Sequence, residues 1–172
     1  MAFWSIANAP IRQFRFLISN TSDEAGPVWY WAKSVSKPSF EISSTEHQLL
    51  NHKFKYPGIL SWNDITMTLV DTGGKTKQLM DQFITNGYNY PDKFETTEGI
   101  SKTSTTDYLD ELTIQQLDGE GVAIETWRLK GAFIKSTNFG DLDYGSDELV
   151  TLQLTISYDW AELNTEVQTE QQ

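Results

Sequence analysis

From Thr151 to Trp160 the chain reads TLQLTISYDW, so that Leu152, Leu154, Ile156, Tyr158 and Trp160 alternate with Thr151, Gln153, Thr155, Ser157 and Asp159. A period of two puts the first set on a dry face of a strand and the second on a polar face. A similar alternation begins at Trp127. The two runs are separated by Asn138 to Asp147, which carries two glycines and several short polar side chains suited to turn backbone angles. The stretch from Trp127 to Trp160 therefore predicts a β-hairpin joined by an acidic turn.

The same pattern marks further strands upstream. Phe14, Phe16 and Ile18 alternate with Arg15 and Leu17 between Ile11 and Ser19, and Val28 to Val35 carries Trp29 and Trp31. Pro38 to Ser44 starts a third strand, and Ser61 to Asp71 supplies its partner, with Ile65, Met67 and Leu69 on one side. Between them, Thr45 to Leu60 (TEHQLLNHKFKYPGIL) is too long for a tight turn and keeps apolar residues beside His52, Lys53 and Lys55. A connection of that length in a compact domain is either functional or a mobile surface loop. After Asp71-Thr72-Gly73-Gly74, the stripe Leu79, Met80, Phe83 and Ile84 predicts a helix over 75–86, with Gly87 at its end. Tyr88 to Asp107 is polar and predicts a loop, and Tyr108 to Leu117 pairs with Val122 to Lys135 across Asp118-Gly119-Glu120-Gly121.

The sum is a mainly β chain of about seven strands with one helix: an antiparallel sandwich or partly closed barrel packed by that helix, with a long hairpin extension over 45–60. One domain over 11–163 is expected, between an N-terminal arm (1–10) and a polar, flexible tail (164–172).

Composition narrows the function. The 172 residues contain no cysteine, which removes disulfides, thiolate metal sites and thiol nucleophiles. Twenty-four acidic residues against 13 basic ones leave a net charge of −11, the wrong sign for wrapping nucleic acid. No apolar run is long enough to span a bilayer, and no secretion signal is predicted. Six tryptophans within 13% aromatic content suit sheet packing and interfaces.

Catalytic and cofactor motifs fail on spacing. Gly74-Lys75-Thr76 opens a helix, but a phosphate-binding loop needs a glycine where Leu69 stands. Counting a calcium loop from Asp141 puts Ser146 at the turn glycine and Leu152 at the closing carboxylate. His47 and His52 lack the partners of a zinc site, and no nucleophile turn is present. The sequence predicts a protein that is not an enzyme and takes no cofactor or metal.

Two blocks carry a family resemblance. One runs from the lysine and glycine at 130–131 through Asn138-Phe139-Gly140-Asp141-Leu142-Asp143-Tyr144 to Ser157-Tyr158-Asp159-Trp160, and the other is Ser61-Trp62-Asn63-Asp64-Ile65-Thr66-Met67-Thr68-Leu69-Val70-Asp71. Together the chain resembles, over about Ile11 to Leu163, the tail tube protein of T4-like contractile-tailed bacteriophages. The resemblance implies hexameric rings stacked into a tube inside a contractile sheath, with DNA passing through without specific binding. It also implies sheath, tape-measure and baseplate proteins as partners, and a place in the virion tail after assembly in the host cytoplasm. The extension that reaches adjacent subunits in such tubes corresponds here to His52, Lys53, Phe54, Lys55 and Tyr56. The acidic turn, Asp141, Asp143, Asp147 and Glu148, complements Lys53 and Lys55 in charge, so the two are expected to meet between neighbours. The polar face Thr151, Gln153, Thr155, Ser157 and Asp159 is expected to face either the bore or the sheath side; the bore is favoured, because an acidic or neutral bore lets a duplex slide where a basic one would hold it. The alternatives are the inner tube or tube initiator of a bacterial contractile injection system, and a monomeric sugar-binding β-sandwich with exposed tryptophans.

Overall fold

The computed structural model describes residues 11–20, 31–74, 76–78, 80–81, 100–102, 109 and 111–164. Ten strands run through them: β1 Phe16–Asn20, β2 Ala32–Val35, β3 Ser39–Leu49, β4 His52–Asn63, β5 Ile65–Val70, β6 Glu111–Leu117, β7 Ala123–Lys130, β8 Phe133–Asn138, β9 Thr151–Ser157 and β10 Trp160–Asn164. All pairings are antiparallel. Sheet A has the order β1-β6-β7-β10, sheet B the order β2-β5-β9-β8, and β3-β4 stands apart as a two-stranded hairpin. The result is an open sandwich rather than a closed barrel.

The alternation read from the sequence builds its core. Ile65, Met67 and Leu69 of β5 and Leu152, Leu154 and Ile156 of β9 are fully buried against Ile18, Leu112, Ile114 and Leu129 of sheet A. Burying a side chain of this size contributes about 1.5–3 kcal/mol each, so these two inner faces hold the sheets together.

Three strand assignments change. The single strand expected over 122–135 divides at Gly131, whose φ of 63° turns the chain from β7 in sheet A to β8 in sheet B. A Cβ there would run into the Asp159 carboxylate, so both conformation and space favour glycine. The strand expected to end at Trp160 likewise breaks after Ser157, because the chain crosses back to pair β10 with β7. Trp160 thus lies half exposed on the outer side of sheet A, not in the core. Finally, the partner expected for the third strand over 61–71 divides at Asp64: residues 61–63 close β4 opposite β3, whereas β5 pairs with β2 and β9. The long hairpin expected over 45–60 belongs to β3 and β4, which run 11 and 12 residues and turn over Leu50-Asn51, with Leu50 at φ 52°.

The helix expected over 75–86 is present at residues 76–78, 80 and 81, and the remainder lies outside the described residues. Its first turn is capped locally: the Asp71 carboxylate accepts from the Gly73 N–H at 3.0 Å and the Thr76 hydroxyl at 3.0 Å, and the Gln78 N–H reaches the Gly74 carbonyl. Lys102 and Leu109 are also helical, where the sequence pattern had a loop and a strand. Asn164, the first residue of the expected polar tail, ends β10; the rest of that tail and the N-terminal arm lie outside the described residues.

Candidate assembly surfaces

The two sheets turn different outer faces to solvent. On sheet B, register aligns Ser34, Thr68, Gln153 and Asn138 in one row across all four strands, and Thr66, Thr155 and Ser136 in a second. These seven hydroxyl and amide side chains contain no ionisable group. At the margin, Lys135 sits in a bulge of β8 and donates to Asp64 at 2.6 Å. That hydrogen bond, with help from Ser157, holds the Asp64 carboxyl below its ordinary pKa. Sheet A is charged instead: Glu111 pairs with both Arg128 and Lys130, and Glu162 accepts from the Trp160 indole at 3.1 Å.

Four of the five residues expected on the polar face therefore do share it: Thr151, Gln153, Thr155 and Ser157 all belong to β9. Asp159 does not. It lies in the turn between β9 and β10, where it pairs with Lys102 and its N–H donates to the Lys130 carbonyl. The sequence pattern missed Ser34, Thr66, Thr68, Ser136 and Asn138 as members of this face; their alternation on β2, β5 and β8 is the same signal, but strand order alone makes them neighbours.

The hairpin is the second surface. It continues sheet B past the end of the sandwich, because β3 follows β2 and β4 leads into β5. Its base is pinned by aromatic contacts, Phe40 to Trp62 at 5.4 Å and Trp62 to Tyr158 at 5.9 Å between ring centroids. Further out, Phe54 and Tyr56 are about half exposed, and His52 meets Phe54 edge-on. Lys53 and Lys55 both pair with Glu46 of the same hairpin, at 3.2 and 3.7 Å, so they are partly neutralised before any neighbour arrives.

The third surface is the 139–150 connection between β8 and β9. Asp141, Asp143, Asp147 and Glu148 are all exposed, and the loop is shaped by Asp143 accepting from the Gly145 N–H at 2.9 Å. Leu142, Tyr144 and Leu149 stand exposed among the carboxylates. Among the described residues no group of three or more His, Asp or Glu side chains could hold a metal ion. No described helix is long and apolar enough to cross a membrane.

The arrangement is a tail-tube-like fold, a two-sheet β-sandwich with a long protruding hairpin, shared by contractile injection systems and phage tails. It is similar to the tube-terminating cap of the anti-feeding prophage, at 19% identity and a TM-score of 0.68, over 96% of this chain and 100% of that one. A chain of the sheath-tube complex of an extracellular contractile injection system matches at 22% identity and a TM-score of 0.62, over 91% of this chain and 93% of the other. The tail tube of SPP1 matches at 12% identity and a TM-score of 0.50, over 90% and 78%. No protein-family model and no curated protein matches the sequence.

Proposed function

We propose that the chain is a non-enzymatic, ring-forming structural subunit of the inner tube, or of the tube's end, in a contractile injection system. Sheath and baseplate components are its partners in this reading. The fold likeness is stronger to injection-system chains than to the SPP1 tail tube, which shifts the weight from a phage tube to the injection-system reading. The observation that carries the role is the outer face of sheet B. Seven hydroxyl and amide side chains in register, without a charge, form a surface that stays hydrated and binds neither phosphates nor ion pairs. Such a face suits the wall of a conduit. Repeated around a ring of copies, the edge strands β2 and β8 would meet neighbours and no longer be open to uncontrolled pairing. Bulges at Lys33 and Lys135 interrupt both edges in the free chain. A sugar-binding reading needs exposed tryptophans; among the described residues Trp31, Trp62 and Trp127 pack on the core, and the half-exposed Trp160 already donates its indole N–H to Glu162.

The test uses the absence of cysteine. Purified protein is imaged by negative-stain electron microscopy over a concentration and salt series, and Gln153→Cys is labelled with small and with polymer-linked maleimides. Hollow rings or tubes are expected, with position 153 open to both reagents in the monomer and only to the small one after assembly. A chain monomeric at every concentration, or assemblies in which the large reagent still reaches position 153, would overturn the corresponding part of the reading.

A further inference from the structure

Apart from Pro57 and Ile59, the aromatic and apolar residues of β4 occupy even positions: His52, Phe54, Tyr56, then Leu60 and Trp62. In a regular strand they would all lie on one face. The structure divides them. Ile42 pairs with Leu60 and Ser44 with Pro57, so Gly58-Ile59 stands opposite Ser43 alone, and this bulge reverses the alternation. The Ser43 hydroxyl holds the bulge by accepting from the Ile59 N–H at 2.9 Å, and a Cβ at Gly58 would collide with that hydroxyl.

Two opposed patches follow. On the face that continues the core side of sheet B lie Phe40, Ile42, Leu60 and Trp62 near the base, then Glu46, Lys53 and Lys55 near the tip. On the opposite face the base carries Glu41 and Ser61, next to the exposed Ile59 of the bulge, and the tip is apolar, with Leu49, Phe54 and Tyr56. Apart from Trp62 and Ile59, the apolar members of both patches are about half exposed. One flat partner cannot cover two opposite sides of a two-stranded ribbon.

The chain itself carries a complement to the first face. The 141–149 loop presents Leu142, Tyr144 and Leu149 together with four carboxylates, against an apolar base followed by two lysines and one glutamate. The match is apolar to apolar and acid to base, which sets orientation as well as contact. The two surfaces differ, so the contact is head-to-tail and can propagate through a ring or stack.

We infer that the hairpin is clamped between two other copies of this chain: the 141–149 loop of one covers the Phe40-Ile42-Leu60 face, and a different copy covers Leu49, Phe54 and Tyr56. This rests on the assembly proposed above and specifies its contacts. The chain lacks cysteine, so Ile42→Cys, Phe54→Cys and the double variant can each carry a maleimide-benzophenone label. Each is mixed into a large excess of unlabelled chain under conditions that give rings or tubes, and irradiated. Each single variant should yield dimers, with position 42 joined to a peptide containing residues 141–149. The double variant should yield trimers. Tubes in which the double variant stops at dimers, or in which position 42 joins another segment, would overturn the clamp and leave the tube reading standing. Absence of rings or tubes from the unmodified chain would overturn the tube reading itself. Leu60→Cys and Tyr56→Cys form a second pair should the first impair assembly.

Discussion

Trp62 of the protruding hairpin lies 5.9 Å from Tyr158, ring centroid to centroid, at an interplanar angle of 53°. Tyr158 is buried at the end of β9, and its hydroxyl approaches the Ser39 backbone without completing a hydrogen bond. Burial raises its pKa. The hairpin is thus tied into the core through one ring pair. Trp62→Ala should destabilise the chain by about 3 kcal/mol, the lower end for a large aromatic because Trp62 is only partly buried. Tyr158→Phe removes a buried hydroxyl without a full partner and should change stability by less than about 1 kcal/mol. Urea unfolding of both variants decides the point, and equal losses would contradict it.

At Gly140, φ is 79° and an added Cβ would sit 2.6 Å from the Thr151 carbonyl oxygen. At Gly121, φ is 88° but nothing lies within 4 Å. Gly121→Ala should therefore cost about 1 kcal/mol for the left-handed conformation alone, and Gly140→Ala about 2–3 kcal/mol, because backbone must also move. The ratio of the two, read from denaturant midpoints, matters more than either value.

Asp64 supplies a pH dependence. Its folded pKa is lowered, chiefly by the Lys135 hydrogen bond, so its stabilising contribution is present above the ordinary carboxylate pKa and is lost as pH falls through the folded value. Asp64→Asn should lower the melting temperature slightly at pH 7, by the equivalent of less than about 1 kcal/mol for so exposed a pair. The difference from the parent should shrink toward zero as pH falls below the ordinary carboxylate pKa and through the lowered folded value. A gap that widens on acidification would assign the stabilisation elsewhere.

Gly58 governs assembly more than folding. Gly58→Val places side-chain atoms where the Ser43 hydroxyl stands and disturbs the bulge that sets the two faces of the hairpin. The sandwich core is remote from this site, so the urea midpoint should correspond to a change within about 0.5 kcal/mol. Ring or tube formation, followed by sedimentation, should need at least tenfold more protein. Assembly at the parent concentration would show that the bulge geometry is not required.

Much of this architecture was written in local alternation. The buried residues of β5 and β9 follow from a period of two, since a strand must turn successive side chains to opposite faces. The four β9 residues on the polar outer face were legible for the same reason, as were the acidic turn and the exposed character of His52 to Tyr56. Local pattern could not report that a strand changes sheets. Trp127–Lys135 and Thr151–Trp160 look continuous, yet Gly131 and the Tyr158-Asp159 turn send their halves into different layers, which removed Trp160 from the core and Asp159 from the polar face. Nor could it show Lys53 and Lys55 already sharing Glu46, because that pairing needs the β3-β4 register. The sequence by itself determined which residues seek an apolar surface. Only the tertiary structure decided which side of the hairpin they occupy, because one extra residue in a ladder reverses every side chain beyond it.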